Sequence, residues 1–441
     1  MFYGRCKYHR LLRKNATSRS IPLVILYLEL AGLLVVLSCG LAAAGGEIRK
    51  LEGRRLTLFT DVSGAEIDSL PSVFDQAFEQ FCRYFGVDPQ KHARWHMCGC
   101  LMSEKQAFAA AGLLPDDLPP FAHGYSRGDR LWLYEQPTDY YRRHLLLHEG
   151  VHGFMEAILG GCGPPWYMEG VAEYLATHRW QDGRLLLGYM PQSRDETPGW
   201  GRIRIIQDAV AERRALRFPA VIDLLPTAHR ETEAYAWSWA AATLLDRHPC
   251  YHTRFRSLIN FVAQRDFNHQ FQRLFQNDWQ ELCEEWQLFI VGMEYGYDIE
   301  RCAVDFTPGK LFLPTTAEAG KKIVVAADRG WQNSGLKLQG GREYRFRARG
   351  RFQVAETNKP WLSEAGGVSI RYYQGHPLGV LLAAVRPDNP PPQSTSALLR
   401  PVVIGLSARF TPSETGTLFF KINDSAGELH DNAGTVEVEV W

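Results

Sequence analysis

His148-Glu149-Gly150-Val151-His152 and Trp166-Tyr167-Met168-Glu169-Gly170-Val171-Ala172-Glu173-Tyr174 carry the reading of this chain. The first is an H-E-x-x-H sequence. It lies in a stretch from Asp139 to about Leu159 whose apolar residues Leu145, Leu146, Val151, Phe154, Met155 and Ile158 recur at helical spacing. Residues four apart share a helix face, so both imidazoles can reach one metal ion. Zinc suits them, because it takes nitrogen and oxygen ligands in a tetrahedron. Glu149 then projects beside the ion, where it can take a proton from a zinc-activated water and pass it to a leaving amine. Gly160-Gly161 stop this helix, and Pro164-Pro165 precede the next, expected over Tyr167–His178. The reversal brings Glu169 to the open side of the metal as third ligand. Glu173, one turn further on the same face, suits a residue that holds a ligand histidine through its other ring nitrogen.

These two segments resemble the gluzincin metallopeptidases, in which H-E-x-x-H is completed by a glutamate in an N-E-G-x-A-like helix, and in particular the peptidase MA-like proteins. The resemblance covers about residues 50–300, with its specific part at 145–175. It implies a zincin-like domain with His148, His152 and Glu169 as zinc ligands and Glu149 as general base. Similar enzymes carry a tyrosine that hydrogen-bonds the tetrahedral oxyanion, which puts Tyr235 in that role, 66 residues past Glu169 (235 − 169). The G-x-M-E-N segment by which aminopeptidases of this group grip a substrate amine is absent, which points to an endopeptidase. The run Arg130–Glu135 (RLWLYE) has strand composition and is expected as an edge strand that aligns an extended peptide. A rival motif, Gly124-Tyr125-Ser126-Arg127-Gly128, spells the G-x-S-x-G nucleophile elbow. That elbow needs a strand before the serine and a helix after it; here Pro119-Pro120 precede and a strand follows, so a glycine-rich turn into a strand is expected.

Outward from this centre, the 441 residues are 45% hydrophobic, 12% aromatic and 22% charged, which is globular composition. Lys+Arg and Asp+Glu are both 49, and with no basic surplus nucleic acid is not expected as a partner. Phe74, Ala77, Phe78, Phe81 and Phe85 predict a helix over Ser69–Phe85. Further helices are predicted over Glu104–Ala111, Glu231–Asp246, Tyr251–Ala263 and Asp278–Val291. Residues 1–44 hold six basic residues, one acid (Glu29), an apolar run from Ile21 to about Leu37 and a small-residue exit, the pattern of a secretory signal cleaved after Ala44. Lipidation at Cys39 and an uncleaved membrane anchor are the alternatives. Each exports the rest of the chain, so the protein is expected to be extracellular, periplasmic or membrane-anchored, touching the membrane only through this segment. The remaining chain has 43 basic and 48 acidic residues (49 − 6 and 49 − 1), a net charge of −5. Seven cysteines follow residue 44; the odd number leaves at least one unpaired within the chain.

Past about Cys302 helical periodicity gives way to short alternating runs: Lys322–Ala326, Tyr344–Ala348, Val368–Tyr373, Val402–Phe410, Thr417–Ile422 and Thr435–Val440. They are punctuated by Gly, Pro, Asn and Asp, the pattern of an antiparallel β-sandwich. The fold class expected is therefore α+β. A signal or anchor occupies 1–44, a zincin-like domain 45–302 and a lectin-like β-sandwich 303–441. The stretch 423–434, rich in Asn, Asp and Glu, has the oxygen side chains calcium prefers, though the same composition also makes a plain hairpin loop. Its N-D…D-N-x-G spelling resembles the calcium loop of a galactose-binding bacterial lectin, over about residues 320–441. That resemblance implies Asp424, Asp431 and Asn432 as calcium ligands. Glu428 replaces a threonine of the family, and His376-Pro377-Leu378 stands where the lectin grips sugar with His-Pro-Asp. The expected function is an exported zinc endopeptidase acting on peptide or protein, with a sandwich for carbohydrate or surface binding. The rival is a non-catalytic cell-surface carbohydrate-binding protein with a vestigial metal site.

Overall fold

The computed structural model describes residues 47–314, 320–392 and 394–441. The expected signal or anchor at 1–44 lies outside the described residues, among which no helix is long and apolar enough to cross a membrane. The chain opens with β1 (Arg49–Glu52), β2 (Leu56–Thr60), α1 (Ala65–Phe85), β3 (Met97–Met102), α2 (Lys105–Ala110), β4 (Gly124–Arg127) and β5 (Arg130–Tyr134). The five strands form one sheet in the order β1-β2-β3-β5-β4, with the β2–β3 and β3–β5 pairs parallel and both outer pairs antiparallel. The RLWLYE run is thus an inner strand, not the edge. Gly124–Arg127 pairs on its outer side, and Tyr125 stacks on Trp132 with ring centroids 6.2 Å apart. The edge beside the site is β4.

Against this sheet packs α3 (Asp139–Phe154), capped by the Thr138 hydroxyl, which accepts from the Tyr141 N–H at 3.2 Å. It runs on as a wider turn over Met155–Leu159 and stops at Gly160 in the left-handed region. Pro165 then opens α4 (Pro165–Ala176) in the first turn, where a missing N–H costs nothing. This helix ends at Ala176, short of His178, which instead pairs with Leu187 in the hairpin β6 (His178–Gln181) and β7 (Arg184–Leu187). Next come α5 (Arg202–Ala211), α6 (Phe218–Ile222), α7 (Thr232–Arg247), α8 (His252–Ser257), α9 (Phe267–Phe275), α10 (Trp279–Val291) and α11 (Ile299–Cys302). Two glycines of the motifs set helix spacing. A Cβ on Gly150 would stand 2.4 Å from Phe74 Cε2 of α1, and one on Gly170 would stand 2.6 Å from the Ser238 carbonyl oxygen of α7. Only glycine admits such approaches, and the second lets α4 lie close along α7, beside Tyr235. The helix expected over Tyr251–Ala263 breaks after Ser257 into a tighter turn, Leu258–Phe261. The Val262 carbonyl is taken by the Gly163 N–H at 2.9 Å, so the chain leaves the helical path to close the loop between α3 and α4.

The β-rich part comprises β8 (Lys310–Leu311), β9 (Lys321–Ala326), β10 (Gln332–Leu338), β11 (Tyr344–Arg349), β12 (Arg351–Glu356), β13 (Pro360–Glu364), β14 (Gly366–Tyr373), β15 (His376–Arg386), β16 (Val402–Val403), β17 (Ser407–Phe410), β18 (Gly416–Ile422) and β19 (Thr435–Val440). One sheet runs β14-β15-β18-β10-β8 with β16 on β15, the other β17-β11-β19-β9. Their facing sides bury Tyr344, Phe346, Val436, Val438 and Val440 against Leu381, Ala383, Leu418 and Phe420. Arg345, Arg347, Glu437 and Glu439 point outward in strict alternation. The run expected over Val402–Phe410 is two strands, parted at Gly405, where φ is +59°.

Residues Gly45–Trp441 form one compact unit. The outer face of the first sandwich sheet is not solvated: Val380, Leu382, Ala384 and Phe419 pack with Val304, Trp331 and Leu288 of α10. Consecutive glutamates of α10 fasten the junction. Glu284 accepts from Arg386 Nε at 3.1 Å and Nη2 at 2.7 Å and from the Ser396 hydroxyl at 3.0 Å. Glu285 pairs with His248 Nε2 at 3.1 Å and accepts the Val304 N–H at 2.7 Å. Among the described residues the cysteines are all unpaired thiols, with Cys82 and Cys100 buried.

Candidate metal centre

Three side chains from α3 and α4 converge. His148 Nε2 lies 3.1 Å from Glu169 Oε2, His152 Nε2 lies 3.3 Å from the same oxygen, and the two Nε2 atoms are 3.0 Å apart. A tetrahedral ion with ligands at about 2.0–2.1 Å has ligand–ligand edges of about 3.3–3.4 Å, so this triangle is close to one face of such a tetrahedron. Glu169 Oε2 is buried without a hydrogen-bond partner. An orphaned carboxylate oxygen is costly unless something positive sits against it. Donor set, spacing and orphaned oxygen together fit a metal ion. His152 is the most open of the three, its side chain 14% exposed.

The centre is braced from behind. Glu173 Oε1 lies 3.3 Å from His148 Nδ1 and 3.3 Å from His144 Nε2, and Arg202 of α5 grips the carboxylate through Nε at 2.9 Å and Nη2 at 3.1 Å. Burial works to raise the pKa of both glutamates. Arg202 and His144 outweigh it at Glu173, holding that carboxyl well below the ordinary range, and His152 and His148 do the same at Glu169. Burial likewise opposes a charged His148, but Glu169 and Glu173 hold its pKa well above the ordinary histidine value. Two buried carboxylates so placed demand positive charge, which a metal cation supplies as readily as protons do. A second trio, His144, His148 and Glu173, also has its ligand atoms within 4.8 Å of one another. There both Glu173 oxygens are already taken by Arg202.

Glu149 stays off the triangle. It is buried, and its Oε2 accepts from the Ser126 hydroxyl of β4 at 2.7 Å. Tyr235, at the start of α7, is half-buried, with its ring 5.9 Å from that of His148, whereas Trp237 and Trp239 of the same run are core. Burial and then the charges of Glu169 and Glu173 push its phenol upward, so it stays protonated as a donor. Across from it, His229 meets the Tyr235 ring edge-on at 5.1 Å. The structure brings His148, His152, Glu169, Glu173 and Tyr235 together, and Glu149 follows His148 on α3 with its carboxylate on Ser126. Four neighbours were not expected. His144 extends the four-residue stripe of His148 and His152, a signal legible in the sequence. Arg202, His229 and Ser126 arrive from distant elements.

His148→Ala, His152→Ala and Glu169→Ala should each abolish metal binding, read as metal content of purified residues 45–441. Glu173→Gln should weaken binding about 10–100-fold. It should also lower Tm, because it leaves Arg202 buried without its counter-charge. An unchanged Tm would show that Arg202 finds another partner.

In the sandwich, Asp424 and Asn432 are buried. Asp424 Oδ2 accepts from Asn432 Nδ2 at 2.8 Å and Oδ1 from the Ser425 N–H at 2.7 Å. Asp431 Oδ2 accepts from the Glu356 N–H at 3.0 Å, and Asn432 Nδ2 also donates to the Ala327 carbonyl at 3.1 Å. Asp431 Oδ1 and Asn432 Oδ1 are buried with no partner. The three residues expected from the sequence thus share one loop, and two of them have an acceptor oxygen left without a partner.

No family model and no curated protein matches this chain. Among solved structures, one described as "EclA N-terminal domain; PllA-like lectin" is similar at 21% identity over 28% of this chain and 93% of that chain, with a TM-score of 0.20.

Proposed function

We propose that the chain is an exported zinc endopeptidase of the gluzincin type, its catalytic part in residues 45–302 and its sandwich, 303–441, docking on carbohydrate or another surface. One observation carries this: two imidazole nitrogens and one orphaned carboxylate oxygen, mutually 3.0–3.3 Å apart, with a second glutamate held beside them and off the triangle. A purely structural centre has no use for Glu149. A zinc ion held by His148, His152 and Glu169 supplies Lewis acidity toward water and a substrate carbonyl. Glu149 takes the proton of the attacking water on its carboxylate and delivers it to the leaving amine nitrogen. Tyr235, kept protonated, donates its O–H to the oxyanion that develops on the former carbonyl. The unpaired edge of β4 offers backbone N–H and C=O groups to an extended peptide.

The test is digestion of unfolded proteins by zinc-loaded residues 45–441, with new N-termini identified by mass spectrometry. Cleavage supports the reading; a folded, zinc-loaded protein that cleaves nothing promotes the non-catalytic binding protein in its place. Tyr235→Phe should keep zinc and lower kcat by about 10²–10³-fold. A lower Tm with unchanged kcat would mark the ring as packing only.

For the sandwich we propose calcium held by Asp424, Asp431 and Asn432. Burial, against the bonds from Asn432 and Ser425, pushes the Asp424 carboxyl up to about 6, compared with about 3.9 in an unfolded chain. The folded loop therefore holds this proton more tightly than the unfolded chain does. That stabilisation is present in full below about pH 4 and is lost as pH rises through 6, a change of roughly 3 kcal/mol. Calcium binds the ionised form, so the gain in Tm on adding calcium should be larger at pH 7 than at pH 4.5. No gain at pH 7 would leave the loop a plain hairpin.

A further inference from the structure

The G-x-S-x-G spelling at Gly124–Gly128 does not make a nucleophile elbow: it is strand β4 and its turn. Gly124 and Ser126 are two apart on a strand and so face the same way, toward α3. The Ser126 hydroxyl donates to Glu149 Oε2 at 2.7 Å. A Cβ built on Gly124 would stand 2.8 Å from Glu149 Oε1 and 3.2 Å from its Cγ. One strand therefore meets both oxygens of one carboxylate: Ser126 bonds Oε2, and the bare backbone at Gly124 leaves the room that Oε1 occupies. The strand is itself held in register. It pairs with β5 through Gly124↔Leu133 and Ser126↔Leu131, while Tyr125 stacks on Trp132 and Arg127 pairs with Asp117 at 2.9 Å on the opposite face.

We propose that Ser126 is a positioning residue that aims the Glu149 carboxylate, with Gly124 shaping the slot in which it lies. The inference rests on the hydrolytic reading of the centre. A glutamate side chain has three rotatable bonds, and a general base acts efficiently only when held close to the productive geometry. Ser126 ties down Oε2 and leaves Oε1 to exchange the proton. In this role the side chain acts through Glu149 and forms no covalent bond. A methyl group at residue 124 would push Oε1 aside, so the strand and the base are fitted to one another.

The test compares zinc-loaded residues 45–441 as wild type, Ser126→Ala and Ser126→Thr, by kinetics and by crystallography. Thr keeps the hydroxyl and suits a strand. Zinc content should be equal in all three. Ser126→Ala should lower kcat about tenfold with KM within about twofold, and Ser126→Thr should restore it. In crystals the Glu149 carboxylate should occupy one rotamer in the wild type and in Ser126→Thr, and more than one in Ser126→Ala. A single Glu149 rotamer in Ser126→Ala, or a kcat equal to wild type, overturns the proposal. If the wild type hydrolyses nothing, the hydrolytic reading fails, and the rotamer comparison alone decides whether Ser126 positions Glu149.

Discussion

Glu149→Gln in residues 45–441 is expected to bind zinc and fold like the wild type while its peptide hydrolysis falls by about 10²–10⁴-fold, the range attributed to a positioned general base. Glutamine has nearly the shape of glutamate and its carbonyl oxygen can still accept from the Ser126 hydroxyl, so the contact with β4 survives. It has no site that takes a proton at neutral pH, and that loss is the whole effect. The triangle proposed to hold the ion is made by His148, His152 and Glu169, not by Glu149, so zinc content should stay near one per chain. Loss of zinc together with activity would mean that Glu149 is a ligand. Retention of both would mean that the proton is handled elsewhere.

Arg386→Ala should destabilise the protein by about 3–5 kcal/mol, the cost of breaking a buried ion pair from one side. Arg386 and Glu284 are almost wholly buried, and the guanidinium makes three of the four contacts that satisfy the carboxylate, Ser396 making the other. Without it the buried Glu284 carboxyl at the junction of α10 and β15 is left with the Ser396 hydroxyl alone. At ~2–4 °C per kcal/mol, Tm should fall by roughly 6–20 °C. Because the pair joins the helical part to the sandwich, both should unfold in one transition at the lower temperature. Arg345→Ala is the control: its pair with Glu343 is half exposed and should be worth under about 1 kcal/mol. A small loss at Arg386 would show that the junction relaxes to let water reach Glu284.

The His/Glu cluster of the candidate centre was legible because its grammar is local. His148 and His152 declare one helix face by their spacing, Gly160 and Pro165 declare the reversal, and Glu169 then has few places to go. The brace was not legible. Arg202 reaches Glu173 from 29 residues away (202 − 173), and Ser126 reaches Glu149 across 23 (149 − 126), so these pairings exist only once the helices and the sheet have packed. Burial on two faces hid whole strands. β15 is buried nearly throughout, between the sandwich core and α10, so Leu378–Val385 reads as an unbroken apolar run without alternation. β3, with the sequence MCGCLM, is buried on both faces too and carries residues that rarely announce a strand. By contrast β11 and β19, with one face in water, alternate residue by residue and were placed from the sequence alone. The edge-strand reading of RLWLYE failed for a related reason: Gly124–Arg127 holds a glycine and a serine fitted to Glu149 rather than a run of strand formers.

A zinc titration of metal-stripped residues 45–441, with peptide hydrolysis recorded at each addition, tests the central claim most directly. Hydrolysis should be absent without metal, rise in proportion to added zinc, and level off at one equivalent per chain. Hydrolysis that is already complete in the stripped protein, or a fully zinc-loaded protein that hydrolyses nothing, would contradict it.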